Sequence, residues 1–270
     1  MTNMTAIDVH GHFGSYEDGR GKDSHSGFLF SGDIGVVQRR AQAADIRLTI
    51  VSALRAFMPY GGDPLRGNDD ARNAAEKTEG ILFWAVLDPR RKETYNQVEA
   101  LMRHERCCGI KLHPHRQDYE IRTYGDAVYD FASAQEALIL THSGDPGSFP
   151  EDFIPFANRY PKTRTILAHL GNSSDGVATR QVHAIRQSEA NNVWVDTSSA
   201  RSIFSRIIEW AVAEIGVDRL LFGTDTPLYS AATQKARIET AEISSVERQA
   251  ILYDNALDLL RSLPKKNFLI

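Results

Sequence analysis

Eight short apolar runs recur along this chain, at residues 6–10, 48–53, 81–87, 109–113, 138–142, 165–169, 193–197 and 220–224. Each is short, rich in Val, Ile and Leu, and followed by a longer stretch. Helical periodicity fills most of those stretches, at 34–44, 70–79, 95–105, 125–135, 202–214 and 246–261. From the second run onward the spacing is about one strand plus one crossover helix, the βαβ unit. Ser244 stands three residues before Glu247, which predicts a capping box at the start of the last helix. Strict β/α alternation implies a parallel sheet covered by helices. Eight units favour closure into a (β/α)8 TIM barrel over an open doubly wound sheet, and 270 residues suit one such domain spanning 1–270. No linker or shift in composition marks a second domain. Two long loops are expected, at 11–35 and 59–68.

Charge and cysteine content narrow the function classes. The formal net charge is -4 and no long Lys/Arg run occurs, so the footprint of a nucleic-acid binder is missing. The first residues lack the basic-then-apolar pattern of a signal peptide, and no apolar run is long enough to span a bilayer. The only cysteines, Cys107 and Cys108, are adjacent in sequence, which disfavours a structural bridge and fits a reducing, cytoplasmic setting.

Groups able to do chemistry gather at the ends of the predicted strands. Strand one ends in Asp8-Val9-His10-Gly11-His12, strand four in Lys111-Leu112-His113-Pro114-His115, strand five in Thr141-His142, strand six in Ala168-His169 and strand eight in Thr224-Asp225. In a (β/α)8 barrel all C-terminal strand ends meet at one face, so His10 and Asp225 can come together despite their separation. Positions i and i+2 of a strand share a side, so His10 and His12 should both aim into the mouth while Val9 faces the helices. His142 supplies a third nitrogen and Asp225 an anionic oxygen. That set suits one Zn²⁺, with Mn²⁺ as the alternative. Alone, each of these residues has a plainer explanation, such as a core histidine or an N-cap aspartate. Their joint placement at strand ends is what points to a metal. Arg55, Lys111, His113 and Arg201 also fall near strand ends, and cationic or donor groups there suit a small anionic substrate. His25 lies in the first long loop, whereas His104 and His183 fall in helical patterns away from the mouth.

The order and spacing of Ile7-Asp8-Val9-His10-Gly11-His12, Gly109-Ile110-Lys111-Leu112-His113-Pro114, Leu140-Thr141-His142, Leu167-Ala168-His169-Leu170-Gly171 and Leu221-Phe222-Gly223-Thr224-Asp225-Thr226-Pro227 resemble the amidohydrolase-related metal-dependent hydrolases. The likeness is to the branch that includes aminocarboxymuconate semialdehyde decarboxylase. It implies one metal on His10, His12, His142 and Asp225, with His169 off the metal as a catalytic residue beside Asp225. Lys111 departs from relatives in which a carboxylated strand-four lysine bridges two metals. The expected activity is hydrolysis of a carboxylate-bearing lactone, ester or amide by a metal-activated water. The alternative is cofactor-free decarboxylation of an unsaturated or aromatic acid. A barrel reduced to binding is disfavoured by the filled ligand positions. A TatD-type nuclease would want an acidic ligand on strand four. Pairing of two copies into a homodimer is compatible with any of these.

Overall fold

The computed structural model describes residues 4–17, 27–199 and 203–264. Eight strands form one sheet in chain order: β1 (Ala6–Phe13), β2 (Ile46–Ala53), β3 (Ile81–Val86), β4 (Cys107–Leu112), β5 (Leu138–Thr141), β6 (Arg164–Leu167), β7 (Val193–Asp196) and β8 (Leu220–Leu221). Every neighbouring pair is parallel. The sheet then meets itself: Val9 N donates to Phe222 O (2.9 Å), Asp225 N donates to His10 O (2.7 Å), and Gly11 bridges Thr226 in parallel. The fold is a single-domain (β/α)8 barrel, as expected. Strand eight is shorter than its apolar run because Phe222 to Thr226 leave regular pairing to close on β1.

Two apolar layers hold the barrel. The outer one packs strand residues such as Val51, Phe83, Ile110, Ile139, Leu167 and Val195 against helical residues such as Val37, Ala71, Val128 and Phe153. The inner one joins Ile7, Val9, Leu48, Leu82, Cys108, Leu138, Ile166 and Leu221 to Leu259, Leu260 and Leu263 near the C-terminal end of the described chain. The short C-terminal helix contacts β1 and β8 and joins this inner layer away from the mouth, closing the lower end of the lumen. Val9 therefore does not face the helices. Pairing of β1 with β2 shifts register between Asp8 and Gly11, and this breaks the strict alternation assumed for that strand. Trp84 Nε1 donates to the Val9 carbonyl at 2.9 Å, inside the same layer.

Local sequence explains most helix boundaries. Residues 59–68 are not all loop, because helix Pro64–Lys77 starts there. Asp63 accepts from Arg66 N and Pro64 takes the first position, a start worth about 1 kcal/mol. The capping box of Ser244 and Glu247 is present, and a π-helical turn at Ala250–Asp254 leads into Asn255–Arg261. Helices Pro150–Arg159, Arg180–Ile185 and Ala231–Glu239 escape the periodicity reading, the first because Pro155 lies inside it. Cys107 and Cys108 are free and buried in β4. Among the described residues no helix is long and apolar enough to cross a membrane.

Candidate metal centre and active site

The C-terminal mouth is a cavity of about 490 Å³ lined by His10, His12, Lys111, His142, His169 and Asp225 among others. Its geometry starts from two fixed histidines. His10 Nδ1 lies 2.9 Å from Asp196 Oδ2, and His12 Nδ1 lies 3.2 Å from the Ser52 carbonyl and 2.9 Å from Ser52 Oγ. A carboxylate and a carbonyl can only accept, so each Nδ1 carries the proton. Each Nε2 is then a bare acceptor. Those two acceptors face one another at 3.2 Å. Asp225 Oδ1 faces both, 3.2 Å from His12 Nε2 and 3.7 Å from His10 Nε2. Three converging acceptors in a buried place repel unless a cation sits among them. Ligand atoms at about 2.0–2.1 Å from a tetrahedral ion would lie roughly 3.4 Å apart, so the spacing fits Zn²⁺ or a similar ion.

His10 also belongs to a second cluster of potential ligands with His169 and Asp196. Donors use up that carboxylate: Oδ1 accepts from His169 N (3.0 Å), Ser198 N (2.9 Å) and Ser198 Oγ, while Oδ2 takes His10. Asp196 is fully buried and does not line the cavity. Its chemistry is to fix the His10 tautomer, as outer partners of metal sites do. Glycine at 223 leaves room for this cluster, since a Cβ there would press at 3.1 Å on atoms of Asp196, His10 and Ser198 at once.

His142 lies beside the converging set rather than inside it. Its Nε2 meets Asp145 Oδ2 at 2.7 Å, and its Nδ1 meets His169 Nε2 at 3.1 Å. With Nε2 protonated toward Asp145, His142 Nδ1 accepts from His169. His169 Nδ1 in turn lies 2.7 Å from Ser198 Oγ. The His113 ring stacks on His142 with centroids 4.2 Å apart. His169 and Asp225 follow β6 and β8 with φ of 72° and 57°. This left-handed conformation costs L-residues about 1–2 kcal/mol, and both residues line the cavity.

Burial sets the electrostatics. Burial, with Lys111 close by, holds His10 well below the usual imidazole range, and burial does the same for His113 and His169. His142 is lowered too, against the opposing pull of Asp145. Neutral imidazoles are the form that binds a cation. Burial pushes Asp225 up, but the adjoining His12, with His169 and His10 near it, outweighs that and brings it to about 2. Lys111 is fully buried and burial lowers it to about 8. Its Nζ donates to His10 Nε2 at 2.8 Å, the same lone pair an ion would use.

Lys111 and His113 line the cavity, as the substrate role expected of them requires. Arg55 does not. It pairs with Asp70 at 3.3 Å and lines a neighbouring cavity. Arg201 and His25 lie outside the described residues. Sequence reasoning passed over Asp196, Ser198, Asp145 and Asp8. The first closes strand seven and could have been found by the strand-end rule. Asp8 sits two residues before His10 and accepts from His10 N and Thr224 N (both 3.0 Å), and burial lifts it to about 7.

Residues 7–262 match the family model described as amidohydrolase, and the chain belongs to that family. Solved structures share the fold at low identity. A dihydroxybenzoic acid decarboxylase from a Polaromonas species, with bound manganese and the inhibitor 2-nitroresorcinol, is 19% identical with a TM-score of 0.71, covering 96% of this chain and 97% of its own. A 5-carboxyvanillate decarboxylase from Sphingomonas paucimobilis is 13% identical with a TM-score of 0.72, covering 96% and 99%. An amidohydrolase from Burkholderia multivorans with bound zinc is 18% identical with a TM-score of 0.70, covering 96% and 100%.

Proposed function

We propose that this chain is a metal-dependent, cofactor-free decarboxylase of a small aromatic carboxylic acid. One observation carries the reading: a converging acceptor set of His10, His12 and Asp225 shares a ring-sized cavity with Leu54, Phe57, Met58 and Leu228. The apolar side can hold an aromatic face, and the polar side can hold the acid. Pockets of this size and mixed lining take small ligands whole. His10, His12 and Asp225 would hold the ion, with His142 as a further donor if it exchanges its His169 contact for it. When bound, the ion would supply a Lewis acid that orients the acid group. The reaction breaks the bond from ring carbon to carboxylate, releases CO₂ and places a proton on that carbon. Asp225, whose Oδ1 would hold the ion, is the residue set to carry that proton on its other oxygen, Oδ2, and His169, anchored through Ser198, is set to stabilise charge developing on the substrate.

Hydrolysis stood first on sequence grounds. The named activities of the decarboxylases with this fold support the lyase reading more. The test loads the protein with Mn²⁺ or Zn²⁺ and offers a panel of hydroxybenzoates, 5-carboxyvanillate and simple lactones. CO₂ release from an aromatic acid is expected. Acid release from a lactone, with no CO₂ from any member, would restore hydrolysis and overturn the proposal.

A further inference from the structure

Arg116 differs from those described arginines that pair with carboxylates. Arg90 pairs with Asp88, Arg122 with Asp152, Arg180 with Glu151 and Asp175, and Arg186 with Glu214. Arg116 is half-buried, lines the mouth, and has no carboxylate partner among the described residues. Helix Pro114–Gln117 begins at His113, whose side chain accepts from Arg116 N, and the Arg116 carbonyl accepts from Gly61 N at 2.9 Å. Its Nη2 donates to Tyr16 Oη at 2.8 Å. The guanidinium carbon lies 5.1 Å from the Tyr60 ring centroid and 5.7 Å from that of Tyr16. The two rings hold the planar fork without neutralising it, and among the described residues its other N–H groups meet no acceptor. A pre-set, unpaired fork at the rim of a cavity of mixed lining is the geometry that takes a carboxylate by two parallel hydrogen bonds.

We propose that Arg116 is the anchor for a second carboxylate of the substrate, one retained in the product, so that this enzyme acts on an aromatic diacid. The proposal rests on the cavity being the substrate site of an acid. It assigns the leaving carboxylate to the His10, His12 and Asp225 end and the retained one to the tyrosine-flanked rim. Tyr16 and Tyr60 are positioning residues that keep the fork aimed.

The experiment reads binding without turnover. Benzoate and the three benzenedicarboxylates are titrated by calorimetry into Mn²⁺-loaded wild-type protein and into the Arg116→Gln and Arg116→Lys variants. At least one dicarboxylate should bind the wild type about 10–100-fold more tightly than benzoate, the range of a charge-assisted pair. Arg116→Gln should erase that preference while leaving benzoate within about twofold, and Arg116→Lys should keep part of it, as a cation without the planar fork. Equal affinity for mono- and dicarboxylates in the wild type, or a preference that survives Arg116→Gln, overturns the proposal. A preference that Arg116 controls, with no CO₂ released from any acid, would instead sink the decarboxylase reading and leave the anchor standing.

Discussion

The two ends of one barrel lumen differ completely although the same strands build both. At the lower end Ile7, Leu48, Leu82, Leu138, Ile166 and Leu221 close on Leu259, Leu260 and Leu263. A few residues further along the same strands stand His10, Lys111, His142, His169 and Asp225. The lower end gains stability by removing apolar surface from water. The upper end gathers neutral imidazoles and carboxylates, which gain from a cation and a substrate. Splitting the tasks lets the barrel carry a locally unfavourable site on a frame that does not depend on it.

The largest effect that could break this comparison comes from His10→Ala. It removes the residue shared by both ligand clusters and leaves Lys111 without its acceptor. Bound metal should fall from about one equivalent to near zero, and turnover should drop by about 10³-fold or more. Elemental analysis beside an activity assay checks both, and full retention of metal would remove His10 from the ligand set. Next comes the opposite end. Leu260, 2% exposed in the plug, should cost about 2–4 kcal/mol as Leu260→Ala by leaving a cavity. Denaturant unfolding should show the loss while metal content and KM stay put. A variant that lost metal in proportion to stability would show that the two ends are coupled.

A smaller effect should come from Asp196→Asn. The amide keeps the shape but loses the charge that holds the proton on His10 Nδ1. Metal affinity should weaken about 10–100-fold, read by competition with a chelator, with the fold intact. An unchanged affinity would mean that Ser198 Oγ, 3.0 Å from His10 Nδ1, sets the tautomer by itself.

Periodicity and strand-end position made the barrel legible because they are local properties that a single sequence carries. The same rule brought His10, His12, Lys111, His142, His169 and Asp225 to one mouth. What escaped depends on relations across the lumen. Asp196 was a strand end without a histidine, and only its hydrogen bonds to His10, His169 and Ser198 reveal its part. Val9 was misplaced because the irregular register of β1 leaves no mark on the pattern of residues. The aim of Arg116 likewise depends on Tyr16 and Tyr60, which two other loops bring beside it.

The smallest expected effect is on the pH dependence of the metal-free protein. Burial lowers His10, His113, His142 and His169 below the 6.5 of a free imidazole. The unfolded chain takes up those protons first, so their contribution is complete above about pH 6.5 and is lost as pH falls through the folded values. Asp8 works the other way. Burial raises it from 3.8 to about 7, so its contribution is complete below 3.8 and is lost as pH rises through about 7. Between these limits the two trends oppose each other at the same mouth, and the histidines outnumber the carboxyl. Thermal melts of metal-free wild type should therefore lose a few degrees, roughly, between pH 7 and pH 5. In Asp8→Asn the opposing trend is gone, while Thr224 Oγ can turn to accept from the new amide, so the acid loss should steepen. A slope that flattens instead would place the dominant titration outside the mouth.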